Sequence, residues 1–516
     1  MKNLAKIMLA VILCLSLFTA VGCDLSGNGS STKPTPDPKP DVATADGTYT
    51  LVEKTVAGLD VTERFLSNVI TLKDGAVTWT EITMSGSEVQ NGNYTDKNNV
   101  VSVKIGLKTY EFATDADFSK LEFSGKINRK NVVMNYQRND DFVFSADTGD
   151  VAFTGELFGD DINENFYNYC PTVIMEGRTM HIWYCSNKVS GNVTDYVAYR
   201  KGTLHDDGKW SFSDKKIVLE HGEAGEWDSR HVCDPTVVKG EFDYNGERYN
   251  YLMAFLGCLT SNNTKNEVGI AVAKSPEGPW IKPQGLNPVA DFYSDFGLSR
   301  TDSSLNADIT ANNSWGYGQP SLISADKRGQ VILFYSAGVP TGTFTNAELW
   351  DFSDLNNPSR LNKLMVSNKN ITNASGGSDV INNADFTYDP QTGRLYCVKE
   401  DFGYPTDSGI TWIAGSNTVF YVDIGKTDVV GSRLFVDYQY SWTMAGKIDS
   451  GSTGFKRNHN MGIVTDEYGY MLDSLRLPVI YTMSMTPQDF PDWNLGGQWP
   501  ALHTYRLHGI MLDIEG

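Results

Sequence analysis

The chain has few cysteines and few cationic residues for its length, and it has no apolar run long enough to cross a membrane. Its 516 residues include 7 Cys, and the zinc-site spacing C-x-x-C is absent. Lys and Arg number 43 against 63 Asp and Glu, a net charge of −20 that repels phosphate backbones and anionic lipid. These features exclude nucleic acid as a partner and argue against a metal cluster.

Several catalytic signatures are also missing. The sequence has no G-x-S-x-G elbow, no H-E-x-x-H zinc pair, no P-loop and no dinucleotide glycine fingerprint. What is present is 40% apolar and 12% aromatic residues with 48 Gly, the composition of a folded chain rich in turns. Membrane channels, collagen and coiled coils are excluded.

The N-terminus predicts export and anchoring. Lys2 and Lys6 precede an apolar run that is too short to span a bilayer but has the size of a signal-peptide core. The sequence Ala20-Val21-Gly22-Cys23 resembles the lipobox of bacterial lipoproteins, which implies a signal peptide over 1–22, lipidation of Cys23 and a place on the bacterial cell surface. The alternative is an ordinary secretory signal. Residues 23–46, rich in Pro, Ser and Thr, predict an extended tether, so the membrane is contacted only through the lipid.

After removal of Cys14 with the signal, and with Cys23 as the lipid site, an odd number of cysteines remains. They are Cys170, Cys185, Cys233, Cys258 and Cys397. An odd set cannot pair completely within one chain, so we expect one or two disulfides local to a hairpin, or buried thiols.

Residues 47–140 alternate short strands with turns and predict an antiparallel meander. The central sequence "ITLKDGAVTW" and the closing strand resemble the lipocalin-like β-barrel modules of bacterial lipoproteins. Such a module either binds an apolar ligand or serves as a spacer with a filled interior, and nothing in the strands specifies a cavity.

Residues 150–516 repeat a unit of an aligned polar residue, a short apolar strand, a hairpin turn and a returning apolar strand. The five units start at Cys170, Asp234, Gln319, Asp385 and His459. This pattern predicts an all-β fold in which a small barrel is followed by a five-bladed β-propeller. In a propeller the innermost strands start beside the central axis, so we expect these five side chains to gather in one funnel.

The segments "GEWDSRHVCDPTVV", "VGIAVAKSPEGPW", "GQPSLI" and "HNMGIVTDEYGYML" resemble the five-bladed propeller glycosidases, the superfamily of glycoside hydrolase family 43 and the β-fructosidases. The resemblance implies carbohydrate metabolism. It also implies an Asp base in blade one, an Asp in blade two that orients substrate, a Glu acid in blade three and a His in blade five near an axial ion or water.

Only part of that set is present. Asp234 matches the blade-two Asp, and His459 matches the blade-five His. The resemblance places His459 near the axis, where it would reach an ion through water. Cys170 stands where the base is expected and Gln319 where the acid is expected. The resemblance requires no cofactor but leaves a place for an axial Ca²⁺.

Glycoside hydrolysis needs two carboxyl groups about 5–9 Å apart, so other residues must replace the missing ones. We expect Asp385, Glu400 and Asp228 to serve beside Asp234, because the first two belong to the fourth unit and Asp228 follows Trp227, whose ring would raise its pKa. Sugars stack on aromatic rings, so Trp227, Trp315 and Trp350 are expected in funnel-side loops as subsite walls, with Cys170, Gln319 and His459 also contacting substrate.

These residues favour a glycoside hydrolase that acts on a polysaccharide or oligosaccharide with a non-standard catalytic set. The alternative is a propeller of the same kind that captures a glycan without cleaving it. A third hypothesis, a scaffold for adhesion or envelope assembly, predicts neither binding nor cleavage.

Overall fold

The structure is a computed structural model. It describes residues 43–62, 65–83, 86–140, 155–159, 167–205, 210–260, 264–301, 315–406, 412–427, 430–435, 440–485 and 502–514. The predicted signal peptide, Cys23 and most of the predicted tether lie outside these residues. Residues Thr44–Gly516 group into one compact unit, and the domain limits at 140 and 150 stay predictions.

The prediction of an all-β fold is confirmed. In the described part of the chain the α-helices are three single turns, α1 (Phe292–Asp295), α2 (Gly431–Leu434) and α3 (Ser450–Thr453), and a short 3-10 turn lies at Leu502–Thr504. Among the described residues no helix has the length and apolar character needed to cross a bilayer.

The first sheet is an antiparallel meander that closes on itself. Its strands are β1 (Gly47–Val56), β2 (Leu59–Asp60), β3 (Phe65–Lys73), β4 (Ala76–Thr83), β5 (Gly86–Lys97), β6 (Val100–Ile105), β7 (Lys108–Ala113), β8 (Lys120–Ile127) and β9 (Lys130–Arg138). β1 pairs with β3 and also with β9, from Tyr49–Arg138 to Val56–Val132. Sheet 1 is therefore barrel-like, with no free edge where its first and last strands meet.

Alternate residues of sheet 1 point into its interior, as expected for strands with one buried face. The ring of Trp79 contacts the rings of Tyr110, Phe112 and Tyr136 at centroid distances of 5.3, 6.1 and 6.3 Å. Trp79 Nε1 and the Tyr136 hydroxyl both donate to Asn68 Oδ1, each at 2.9 Å. These side chains occupy the interior, and Asn68 Oδ1 accepts both of these hydrogen bonds.

The rest of the described chain forms four more sheets. Sheet 2 contains β10 (Gly155–Glu156), β11 (Tyr169–Glu176), β12 (Thr179–Ser186), β13 (Tyr196–Leu204), β14 (Trp210–Phe212) and β15 (Lys216–Leu219), together with β27 (Arg457–Asp466), β28 (Arg476–Ser484) and β29 (Arg506–Asp513). Sheet 3 contains β16 (His231–Tyr244), β17 (Glu247–Cys258) and β18 (Glu267–Ala273). Sheet 4 contains β19 (Gly316–Ser324), β20 (Gln330–Val339), β21 (Gly342–Asp351) and β22 (Ser359–Met365). Sheet 5 contains β23 (Asp385–Asp389), β24 (Arg394–Glu400), β25 (Asn417–Asp423) and β26 (Thr443–Ile448).

Five of these strands, β11, β16, β19, β23 and β27, are called here the inner strands. Each contacts the next in chain order, and β27 returns to pair in parallel with β11, where Val173 lies opposite Val464. The ring is also tied at its periphery, because Gly155 of β10 pairs with Gly509 of β29. The start of this region is thus paired with its end twice, once between the inner strands β11 and β27 and once between the outer strands β10 and β29.

The disulfide differs from the sequence prediction. Cys185 of β12 is bonded to Cys233 of β16, so the bond joins sheets 2 and 3 and is not local to a hairpin. The prediction failed because the two cysteines are 48 residues apart in sequence and meet only when neighbouring sheets pack. Cys170, Cys258 and Cys397 are free thiols.

Candidate functional site

The five inner strands share an unusual backbone feature beside the ring axis. One non-glycine residue has a left-handed conformation within the first four residues of each inner strand, or two residues before the strand in the case of β23. The φ angles are 48° at Cys170, 47° at Asp234, 47° at Gln319, 46° at Asn383 and 38° at Asn460. Positive φ is uncommon for such residues. In four strands the residue lies where the strand pairing shifts register. These five residues, called here the axial ring, are structurally equivalent.

The axial ring corrects the predicted register in two sheets. Asp385 was aligned with Asp234, but the equivalent residue is Asn383, two positions earlier. His459 was aligned in the same way, and the equivalent residue is Asn460. The three correctly aligned residues each precede a proline, and the two others do not. The sequence signal was therefore strongest where proline restricts the backbone.

The residue two positions after the axial-ring residue has the same linking role in three inner strands. Its side chain accepts a hydrogen bond from a backbone N–H of the next inner strand. The backbone N–H groups of Leu322, Phe386 and Ile463 donate to Thr236 Oγ1 (3.0 Å), Ser321 Oγ (3.0 Å) and Asp385 Oδ2 (2.7 Å), respectively. Each bond runs from one sheet to the next. Asp385 therefore occupies a position whose equivalents in sheets 3 and 4 carry structural hydroxyl groups.

The Asp385 carboxylate is fully engaged in this role. Its Oδ1 accepts from Ser321 Oγ at 2.6 Å and from the backbone N–H of Phe386 at 3.0 Å, while Oδ2 accepts from Ile463. Burial raises the pKa of Asp385 to about 6, against the lowering effect of these donors. The residue joins sheets 4, 5 and 2 around the axis.

Asp234 is a second buried carboxylate with a raised pKa. Its Oδ2 accepts from the backbone N–H of Gln319 at 3.3 Å, and its own N–H donates to Cys185 Sγ at 2.9 Å. Its Oδ1 lies 3.1 Å from Cys233 Sγ. Burial raises the pKa of Asp234 to about 6, opposed chiefly by a hydrogen bond with the Cys170 thiol. A carboxyl group of this pKa can exchange a proton near neutral pH.

Cys170 and Gln319 occupy the axial-ring positions at which the resemblance implies the base and the acid. Burial raises the pKa of the Cys170 thiol well above its usual range, and the charges of Asp234, Glu400 and Asp385 raise it further. Gln319 Oε1 is buried and has no hydrogen-bond partner among the described residues. Neither side chain supplies a carboxylic acid.

A small cavity of about 20 Å³ lies between the axial-ring residues. Its polar lining includes Cys170, Gln319, Asn383, Asp385 and Asn460. Both polar atoms of the buried Asn460 side chain lack a hydrogen-bond partner within the described part of the chain. The volume admits one occupant of the size of water. The amide oxygens of Gln319 and Asn460 are of the ligand type that a hard cation such as Ca²⁺ takes.

His459 does not line this cavity, because Glu400 holds its ring. Glu400 Oε1 is 2.5 Å from His459 Nδ1 and accepts from the backbone N–H of Asn460 at 2.8 Å. Its Oε2 accepts from Asn383 Nδ2 at 2.8 Å and from the Tyr404 hydroxyl at 3.0 Å. Burial alone raises the pKa of Glu400, but His459 and the other donors outweigh it and leave the pKa below its usual range. Glu400 is thus held as an anion, a state unsuited to a general acid.

Asp228 and Trp227 are also engaged. Asp228 is buried and forms a short ion pair with Lys282 Nζ. The Trp227 ring lies 5.5 Å from the ring of Phe255 and covers Gly257, where an added Cβ would be 2.2 Å from the indole. This tryptophan packs against strands β17 and β18.

The two other predicted subsite tryptophans have different environments. Trp315 immediately precedes β19 at its axial end, and its indole covers Gly338, where an added Cβ would be 2.0 Å from Nε1. Trp350 was expected in a funnel-side loop, but it lies in β21 opposite Val331, at the end of sheet 4 away from Gln319. Its Nε1 donates to Glu348 Oε2 at 2.9 Å. The funnel-side placement of Trp350 was wrong because β21 continues through this residue to Asp351.

Sequence reasoning missed a buried group beside Asp234. Asp195 is fully buried, and its Oδ1 accepts from the Tyr169 hydroxyl at 3.0 Å while its Oδ2 lies 3.0 Å from His231 Nδ1. The charge of Asp195 contributes to the raised pKa of Asp234. Asp195 ends a polar loop between β12 and β13, where one acidic residue carries no sequence signal.

Aromatic side chains cover the axial ring on the side of Cys170. The ring of Tyr167 lies 4.8 Å from that of Tyr169 and 5.7 Å from that of Tyr505. Ile413 and Leu502 pack in the same cluster, against which Cys170 is partly buried. These side chains cover the part of the axial ring that contains Cys170.

Comparison with known proteins gives structural similarity without sequence similarity. No protein-family model matches the chain, and no curated protein matches it. Solved structures that resemble it include Zg3597, a family 117 glycoside hydrolase of Zobellia galactanivorans, with 11% identity over 69% of this chain and 87% of that one, and a TM-score of 0.39. The α-L-arabinofuranosidase PaAbf62A of Podospora anserina, in complex with cellotriose, has 15% identity over 71% and 98%, and a TM-score of 0.39. The GH43_1 enzyme of Xanthomonas citri has 12% identity over 70% and 90%, and a TM-score of 0.39. No conclusion about activity follows from similarity at this level.

Proposed function

We propose that this chain is a carbohydrate-active protein of the cell surface, built as a lipocalin-like barrel followed by a five-bladed propeller, and that it binds a glycan without hydrolysing it. Two observations support the architecture. Sheet 1 closes between β1 and β9, and the five inner strands form a ring. The glycan is inferred from the motif resemblance around Asp234 and Gln319.

The observation that carries the non-catalytic assignment is the state of the candidate carboxylates. Glu400 is held as an anion by several donors, Asp385 links three sheets, and Asp228 is paired with Lys282. The positions expected to hold the base and the acid carry Cys170 and Gln319. Hydrolysis requires a carboxylic acid that protonates the leaving oxygen and a second carboxylate across the scissile bond.

The experiment is a glycan-array screen of the purified protein, followed by calorimetry and an assay for released reducing ends on every glycan that binds. We expect binding with no product after prolonged incubation. The double variant Cys170→Asp/Gln319→Glu restores the two expected carboxyl groups and is expected to gain measurable hydrolysis of the bound glycan. Release of reducing ends by the wild-type protein would overturn the assignment, and failure to bind any glycan would overturn the carbohydrate function.

Hydrolysis with a non-standard set is the second candidate, favoured by one observation. Asp234 has a pKa of about 6 and lies near a second buried carboxylate, Asp195. If Asp234 transfers the proton, Asp234→Asn abolishes product release while binding persists. Glu226→Asn is the matched control, because Glu226 is exposed and lies in the loop before β16, the strand that carries Asp234. We expect this variant to leave product release unchanged.

Anchoring through Cys23 and an axial Ca²⁺ are separate parts of the proposal. We expect Cys23→Ser to release the protein from the membrane fraction into the medium. For the ion, the unpartnered amides of Gln319 and Asn460 fit a cation, so addition of Ca²⁺ to chelator-treated protein is expected to raise Tm, and Asn460→Leu to abolish that increase.

A further inference from the structure

Three cysteine sulfurs and one carboxylate meet beside the axial ring. Cys170 Sγ, Cys185 Sγ and a carboxylate oxygen of Asp234 all lie within 4.8 Å of one another. Cys185 is bonded to Cys233, and Asp234 Oδ1 lies 3.6 Å from Cys185 Sγ and 3.1 Å from Cys233 Sγ. A free thiol therefore faces an existing disulfide, with a carboxylate between them.

We propose that Cys170 exchanges with the Cys185–Cys233 disulfide, so that the protein interconverts between two disulfide isomers at its axis. Cys170 is the attacking thiol, Cys185 the central sulfur and Cys233 the leaving group. The proposal is independent of glycan binding.

The step balances within the chain. The Cys170 thiol transfers its proton to the Asp234 carboxylate, and the resulting thiolate attacks Cys185 Sγ. The Cys170–Cys185 bond forms as the Cys185–Cys233 bond breaks, and the Cys233 thiolate takes the proton from Asp234. One disulfide and one thiol are present before and after, so no external oxidant or reductant is needed.

Asp234 is placed for both proton transfers. One of its carboxylate oxygens lies within 4.8 Å of Cys170 Sγ, and its Oδ1 lies 3.1 Å from Cys233 Sγ. The aromatic cluster around Tyr169 and Tyr505 covers the sulfurs and limits access by external thiols.

Exchange changes which sheets are covalently joined. The Cys185–Cys233 bond links β12 in sheet 2 with β16 in sheet 3. The Cys170–Cys185 bond would instead lie within sheet 2, because the neighbouring residue Tyr169 pairs with Cys185 between β11 and β12. The alternative isomer thus releases sheet 3 from its covalent link next to Asp234.

The test is disulfide mapping by mass spectrometry after acid quenching and alkylation of the unfolded protein. In Cys233→Ser this bond forms by oxidation of two thiols and not by exchange, so with oxidised glutathione added as the oxidant we expect the peptide pair Cys170–Cys185. In wild-type protein held for days we expect both isomers, with alkylation of Cys170 and Cys233 in reciprocal amounts. Cys258→Ser, which removes another buried thiol, is the matched control and keeps the wild-type pattern.

Detection of Cys170–Cys185 in the wild-type protein supports the proposal, because only there can the bond form by exchange. If the wild-type protein shows only Cys185–Cys233, exchange is overturned, and alkylation of both Cys170 and Cys185 in folded Cys233→Ser shows in addition that these two sulfurs do not meet. If Cys233→Ser does not fold, the wild-type measurement decides alone. Asp234→Asn is expected to slow the appearance of the second isomer at least tenfold, which separates proton transfer from simple proximity.

Discussion

Glu400 Oε1 lies 2.5 Å from Nδ1 of His459, and both side chains are buried. The pair joins the end of β24 to β27, and Glu400 also accepts the backbone N–H of the axial-ring residue Asn460. A carboxylate that was expected to catalyse thus orients a histidine and holds the backbone of the ring.

Glu400→Gln is expected to destabilise the protein strongly. Removal of one partner of a buried pair leaves the other uncompensated and costs about 3–5 kcal/mol. The pKa of Glu400 is lowered in the folded state, so its contribution is present above the ordinary Glu pKa and is lost as pH falls through the lower, folded value. Urea unfolding of wild type and variant at pH 7 and at acidic pH measures this.

Glu220→Gln is the matched control for this change. Glu220 pairs with Lys188 at 2.8 Å, but more than half of its side chain is exposed, at 55%. The control should leave the free energy of unfolding nearly unchanged. Equal stability of the two variants would contradict the structural role of Glu400.

The raised pKa of Asp234 predicts a pH dependence of the free energy of unfolding that is opposite in sign to that of Glu400. Its pKa rises from an ordinary 3.8 to about 6 on folding, so the folded state binds more protons in this window and stability falls as pH rises through it. Two pKa units correspond to about 3 kcal/mol. In Asp234→Asn this part of the fall between about pH 4 and pH 6 should disappear.

Measurement of the free energy of unfolding across this range tests the prediction. Asp117→Asn, at an exposed residue of the loop between β7 and β8, should follow the wild-type profile. Asp385 has a similarly raised pKa and continues to contribute in the Asp234 variant, so the profile becomes shallower but not flat. An unchanged slope in Asp234→Asn would show that its carboxyl group does not titrate in this window.

The contact that closes the inner-strand ring gives a third prediction. An added Cβ at Gly462 would lie 2.0 Å from the carbonyl oxygen of Pro171, at the pairing of β27 with β11. Gly462→Ala is expected to lose about 1–3 kcal/mol or more, because close-packed backbone cannot move aside. Gly446→Ala on β26, where the nearest atom would be 3.8 Å away, should be tolerated. Thermal unfolding compares the two, and equal Tm values would argue against ring closure at this point.

The sequence allowed the hairpins to be predicted better than the site. Each repeated unit was predicted to contain a hairpin turn, and turns at Glu176-Gly177, Tyr244-Asn245-Gly246 and Gln391-Thr392-Gly393 do connect paired strands, because the turn chemistry is local. The alignment of the three unit starts that precede Pro171, Pro235 and Pro320 also agrees with the structure. Where no proline marks the backbone, the predicted register was displaced by one or two residues.

The partners of the site residues could not be predicted from one sequence. Asp195 meets Tyr169 and His231 across segments that are 26 and 36 residues away, and no local pattern encodes such contacts. The packing of Trp227 over Gly257 depends on the same kind of long-range fit. Residue types indicated the chemistry available near the axis, but packing decided which carboxylates are free.

The hydrogen bonds between inner strands give the last prediction. Ser321 Oγ accepts the N–H of Phe386 and donates to Asp385, so Ser321→Ala removes two bonds in a buried position, at an expected cost of about 1–3 kcal/mol. Ser321→Thr should retain most of the stability, since Thr236 fills the equivalent position in sheet 3. Ser353→Ala, at an exposed hydroxyl, is the control. In denaturant unfolding, Ser321→Ala should have a lower free energy of unfolding than Ser321→Thr and Ser353→Ala. If instead Ser321→Ala matches Ser353→Ala, the repeated bond does not hold neighbouring sheets together, and Asp385 would have to be reconsidered as a group available for chemistry.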